Sequence, residues 1–83
     1  MKQVNHHDFY FGKVKWNEMF EDEAELVNAL KLIEIDKFKE NCNGYEFIEG
    51  FQKTLVRKGE LSKPQLTQLK RLAKQVYKYH NNL

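Results

Sequence analysis

The chain has 83 residues, with 14 Lys or Arg against 12 Asp or Glu, one Cys, one Pro and 41% hydrophobic residues. At this length only about 60–65% of the unfolded surface is buried on folding, which leaves one modest core and excludes multidomain enzymes with large clefts. The net charge of +2 conceals a strong asymmetry: three Lys and one Asp in residues 1–15, three Lys and ten acids in 16–49, eight basic residues and one acid in 50–83, or +2, −7 and +7 in turn.

The N-terminal segment is the least helical in pattern. Phe9, Tyr10, Phe11, Gly12, Lys13, Val14, Lys15 and Trp16 are β-prone and partly alternating, yet no other segment offers a strand partner. Residues 1–16 are therefore expected to form an aromatic arm lying across a helical domain at 17–83. Phe9, Tyr10, Phe11 and Trp16 interleave with Lys13 and Lys15, a pattern that suits stacking on unpaired bases. In so small a domain, packing of the same rings against the core is the commoner use.

A helix is expected near residues 18–34. Asp22 and Glu25 have the spacing of an N-terminal capping pair, and Ala24, Val27, Leu30 and Ile33 with Leu26, Ala29 and Leu32 give a broad apolar face. Its start is densely acidic, and Glu18, Glu21, Asp22 and Glu25 form a candidate docking patch for a basic partner. The same acids also complement the positive end of a helix, which needs no partner. Asp36 is placed to cap a short extra helix through Glu40.

The next helix is expected near 44–58, with Asn43 and Glu46 as a capping box and Phe47, Ile48, Phe51 and Leu55 on one face. Gly59 supplies a left-handed stop after Arg57 and Lys58. Only Gly59 to Leu61 then separate it from a third helix near 63–80, which has Ser62 as N-cap, Gln65 as the returning partner, Pro64 in the first turn and Leu61 stapling to Leu66. Leu66, Leu69, Leu72, Ala73, Val76 and Tyr79 share its inner arc. The expected core is Trp16, Phe20, Val27, Leu30, Ile33, Phe47, Ile48, Phe51, Leu55, Leu66, Leu69, Leu72 and Val76. The fold class is thus all-α, a small three-helix bundle with a short fourth piece and an N-terminal arm.

On the outer side of the last helix, Lys63, Lys70, Arg71, Lys74 and Lys78 fall within a sector of about 100° with no acid among them. A rigid row of cations of this kind neutralises backbone phosphates and releases their counterions. Arg57 and Lys58 extend it at the hairpin end. Only two of the 14 basic residues are Arg. Lys presents a point charge where base reading needs a bidentate fork, so backbone contact to DNA or RNA is expected instead of sequence reading. A helix-turn-helix motif fits poorly, because Leu55 stands where a small residue normally permits close crossing and Gln65 stands where a buried apolar residue is needed.

Gly50, Phe51 through Leu55, Lys58, Gly59, Glu60, Leu61, Ser62, Gln65, Leu66 and Leu69 together resemble the helix, Lys-Gly-x-Leu-Ser, helix segments of small phage proteins and their DNA-handling accessories. The richness in Lys, Asn, Ile and Tyr is similar to products of AT-rich phage genomes. The resemblance spans about a quarter of the chain and assigns no role to any residue.

Catalytic chemistry finds no support in the residue pattern. His6 and His7 are adjacent and point differently in any regular structure, and Cys42 has no nearby His in sequence, so no catalytic residue, metal site or cofactor is expected. The longest apolar runs are three residues, such as Phe9 to Phe11, so neither a membrane span nor a signal-peptide core is expected. The lone cysteine agrees with a reducing compartment, and the expected location is the cytoplasm of the producing or infected cell. The favoured function is a non-enzymatic nucleic-acid-binding accessory factor. The rival is a phage-type inhibitor or adaptor that docks on a host or anti-phage-defence protein complex through its charged faces, and self-association through those faces is a third option.

Overall fold

The computed structural model describes residues 1–83 and is entirely helical, with seven helices: α1 His6–Phe11, α2 Trp16–Met19, α3 Glu23–Lys31, α4 Ile35–Asn41, α5 Tyr45–Lys58, α6 Lys63–Arg71 and α7 Ala73–Asn81. The molecule measures 38 × 26 × 17 Å. Since one helix with its side chains is about 10 Å across, the short dimension holds two layers of helices and no more. No helix is long and apolar enough to cross a membrane.

The best-defined boundaries are the ones with local chemistry. Ser62 Oγ accepts from Gln65 N at 3.3 Å while Gln65 Oε1 accepts from Ser62 N at 3.1 Å, closing the expected capping box at the start of α6. Gly59 ends α5 at φ +80° with its N–H on the Leu55 carbonyl at 2.9 Å. Asp22 caps α3 through Glu25 N at 2.9 Å, and Glu25 reaches back to Glu21 N at 3.3 Å, one residue before the cap. Two other expected caps are displaced. Asn43 does not cap α5: the N-cap is Gly44, and the Asn43 N–H is held instead by Gln75 Oε1 at 2.9 Å. Asp36 lies inside α4, whose N-cap is Glu34 without a side-chain bond.

Three expectations about element limits are corrected. The N-terminal segment, the least helical in pattern, holds a short helix. Asn5 Oδ1 accepts from His7 N at 2.8 Å and from Asp8 N at 3.4 Å, which starts the short helix α1, and Phe9 drops into the core from it. The stretch near 18–34 is divided by an extended break at Phe20 to Asp22, so that Met19 and Phe20 can both turn inward. The helix near 63–80 breaks at Leu72, whose N–H is shared between Gln68 O at 3.2 Å and Leu69 O at 3.0 Å, a tightened turn of the 3₁₀ kind. No Gly or Pro stands there. The break follows from packing, for α6 lies against α5 whereas α7 lies against α2 and α3.

A single core cluster joins all these pieces: Phe9, Met19, Phe20, Leu26, Ala29, Leu30, Ile33, Phe38, Cys42, Ile48, Phe51, Leu69, Ala73, Val76 and Tyr77. Of the expected core, Trp16, Val27, Leu55, Leu66 and Leu72 are only partly buried against it. Phe47 is 50% exposed, because the inward seam of α5 runs through Ile48, Phe51 and Thr54 and leaves Phe47 leaning on the Phe51 ring at 6.4 Å. Of the broad apolar face expected around α3, Leu26, Ala29, Leu30 and Ile33 are buried, whereas Leu32, at the C-cap, is 72% exposed.

Polar side chains close the junction between α3 and α4. Gln52 Nε2 donates to Leu30 O at 3.0 Å and Ile33 O at 2.9 Å, His80 Nε2 donates to Ala29 O at 2.7 Å, and Tyr79 Oη accepts from Glu34 N at 3.1 Å. Side chains of α5 and α7 thereby add donors to carbonyls at the end of α3, beside the backbone bonds that Ala29 O and Leu30 O accept from Leu32 and Ile33.

Gly44 illustrates how the break at Leu72 is tied to the rest. Its φ is +86°, and a Cβ there meets Leu72 Cδ2 at 3.0 Å, whereas a Cβ on Gly59, at φ +80°, meets nothing within 4 Å. Both Gly→Ala substitutions carry the left-handed backbone penalty of about 1–2 kcal/mol. Gly44→Ala adds the side-chain crowding, so in urea unfolding it is expected to destabilise more than Gly59→Ala; equal losses would show that Leu72 gives way freely.

Candidate functional site

Packing of α2 on α7 brings the segment Val14 to Met19 against the outer side of the α6–α7 junction. Between them lies an open cleft of about 420 Å³. Val14, Trp16 and Met19 supply its apolar wall and Lys15, Lys70, Arg71 and Lys74 its charge, with Asn17 and Thr67 completing it. No Asp or Glu lines it.

The expected basic stripe is thus only partly assembled. Lys70, Arg71 and Lys74 meet in the cleft, one on each side of the Leu72 break and one beside it. Lys63 is exposed in the first turn of α6 and stands outside the cleft. Lys78 faces a different depression, shared with Lys37, Glu40 and Cys42 at the end of α4. Arg57 and Lys58 are exposed at the C-terminus of α5, likewise outside the cleft.

Two of the cleft cations are held by the protein itself. Lys70 Nζ lies 4.7 Å from the centroid of the Trp16 ring and forms an ion pair with Glu23 at the first position of α3. Lys74 Nζ lies 4.8 Å from the Phe9 centroid. Lys15 and Arg71 are exposed and have no ion-pair partner. The cleft therefore carries one cation neutralised by a carboxylate and three that are not.

The acidic residues are spread along the α2–α3 corner. Glu18 and Glu21 are exposed, Asp22 is occupied as the α3 cap, and Glu25 is shared between Glu21 N and the amino group of Met1 at 3.1 Å. Helix capping accounts for Asp22, and capping together with the ion pair to Met1 accounts for Glu25. The acid that pairs with a cleft cation is Glu23, outside the expected docking set. Lys15 and Trp16 were also not marked as site residues by the helical-wheel argument. Their signal was the alternation of aromatic and basic residues before α2, and only the packing of α2 on α7 shows which of those residues meets the cations.

The remaining reactive groups lead elsewhere. Cys42 is buried, and desolvation pushes its thiol pKa up, against a smaller opposing pull from Lys78. A thiol so placed is poorly ionised and poorly reached. Lys37 is exposed, and its hydrogen bond and attraction to Glu34 at 3.1 Å raise its pKa. No group of three or more His, Cys, Asp or Glu side chains is arranged to hold a metal.

The molecule is therefore a small all-helical protein with one aromatic, cationic cleft on its surface. Comparison with protein-family models, with curated proteins and with solved structures finds no match.

Proposed function

We propose that the protein is a non-enzymatic nucleic-acid-binding factor that grips the phosphate backbone at the cleft between α2 and the α6–α7 junction. The observation that supports this reading is the convergence of Lys15, Lys70, Arg71 and Lys74 on one open surface without a lining carboxylate. A polyanion laid across such a cluster neutralises it and releases its own counterions. Arg71 is the only fork-shaped donor in the cleft, so contact to phosphates outweighs reading of base edges. Lys63, Arg57, Lys58 and Lys78 lie outside the cleft and add long-range attraction, which salt screens.

The test is a charge reversal at the two cations that hold no intramolecular partner. Lys15→Glu with Arg71→Glu leaves the core untouched, so the thermal transition should stay in place. Affinity for a mixed-sequence oligonucleotide should fall by at least about tenfold, and wild-type binding should weaken steeply as salt is raised from about 50 to 200 mM. Absence of binding by the wild type at low salt rejects the reading. It then leaves an acidic face of a protein complex as the partner.

A further inference from the structure

Resting on the reading above, we propose that the nucleic acid taken by the cleft is an unpaired strand, one base of which stacks on Trp16 while Glu23 surrenders Lys70 to a phosphate. Trp16 is the only tryptophan of the chain, and it packs against the core while part of its surface stays exposed. Phe20 and Phe38 are fully buried, whereas Trp16 is partly exposed and forms a wall of the cleft. What lies over its ring is a cation at the end of a flexible chain, Lys70, with a side chain 28% exposed. A ring face covered by the ammonium of a long side chain is one that another planar group can claim, since lysine leaves it by rotation and not by repacking.

Glu23 gives this exchange its logic. In the free protein its carboxylate is the anion paired with Lys70, and the ammonium rests between carboxylate and indole. A phosphate arriving in the cleft offers Lys70 a second anion, and the base attached to it occupies the vacated ring face. One charge-assisted contact replaces another, and the stack of the base takes the place of the Lys70–Trp16 cation–π contact. Duplex DNA cannot complete the exchange, because its base faces are already covered by their neighbours. Lys74 sits over the Phe9 ring, and the neighbouring Tyr10 and Phe11 of α1 are 52% and 80% exposed.

Because Trp16 is the sole indole, its emission reports on the site directly. A short oligo(dT), the matching oligo(rU) and a duplex of equal length are titrated into the protein at about 50 mM salt, with indole fluorescence and anisotropy of a labelled strand read together. The single strands should bind about 5- to 150-fold more tightly than the duplex, the span of one base–aromatic stack, and quench the indole. The tighter of the two single strands identifies DNA or RNA as the ligand. Glu23→Gln should raise single-strand affinity about two- to fivefold, the worth of an exposed ion pair. Trp16→Phe should keep the preference and Trp16→Leu should bring it down to the duplex level. If Trp16→Leu does not fold, the wild-type quench and the Glu23→Gln change still decide the matter. Equal affinity for duplex and single strand with unchanged indole emission overturns this inference and leaves backbone binding intact. Failure of both ligands to bind overturns both.

Discussion

Replacing Phe20 with Ala is expected to lower the unfolding free energy by about 3–5 kcal/mol, the range for truncating a fully enclosed aromatic ring. Phe20 is 0% exposed and follows α2 in extended backbone, with its N–H on Trp16 O at 2.9 Å and its ring edge-on to Tyr77 at 6.2 Å. It is a fully buried member of the one core cluster that all the helices share, so the void left by Ala is not closed by the shift of one helix. For a chain of 83 residues the whole stability is about 4–12 kcal/mol, and the substitution removes a large part of it. Thermal unfolding should move down by about 12 °C or more, and the urea midpoint should fall with the slope unchanged. A loss under about 1 kcal/mol would mean that Phe20 is not enclosed as the structure has it.

The parts of this fold that the sequence makes legible are those whose cause lies within three or four residues. Ser62 with Gln65, Gly59 after Lys58, and Asp22 before Glu25 are contacts between near neighbours, and each appears where the residue types place it. The parts that stay hidden depend on distant partners. Leu72 carries no breaker, yet the helix breaks there because its two halves answer to different neighbours. Tyr77 lies beside the expected inner arc of the last helix, and its burial becomes visible only once residues 2–4 and Phe9 are seen to cover it. Phe9 itself looked like part of an arm because α1 is too short to show a helical period.

The candidate site divides along the same line. Lys70, Arg71 and Lys74 are near in sequence and are found together by assuming a helix. The assumption of one straight helix then carries Lys63 and Lys78 along with them, and the fold sends those two elsewhere. Lys15 and Trp16 at the start of α2 and Glu23 at the start of α3 join the site from elsewhere in the fold, at separations that no local pattern records. Net charge by segment did point to the last third of the chain. It could not show that an acid from the middle third, Glu23, would be placed on one of those cations.

The second large effect concerns the docking of the N-terminal segment. Tyr77 is 4% exposed, its ring lies 5.7 Å from Phe9 and 6.2 Å from Phe20, and its hydroxyl donates to Lys2 O at 2.8 Å while accepting from Val4 N at 3.2 Å. Lys2 is further tied to α2, by its N–H to Met19 O at 2.8 Å and its Nζ to Asn17 O at 3.0 Å. Tyr77→Ala removes both ring and hydroxyl and should cost about 3–5 kcal/mol. Tyr77→Phe keeps the ring and strands two part-buried backbone groups, so about 1–2 kcal/mol is expected. The pair separates packing from hydrogen bonding. In Tyr77→Phe, amide exchange at Val4 should accelerate well beyond the change in α5, because only the docked segment loses a partner. The same segment leads through Val14 and Lys15 into the cleft wall, so Tyr77→Phe should also weaken oligonucleotide binding although it removes no cleft residue. Unchanged stability and unchanged exchange at Val4 would show that the hydroxyl does not hold residues 2–4 in place.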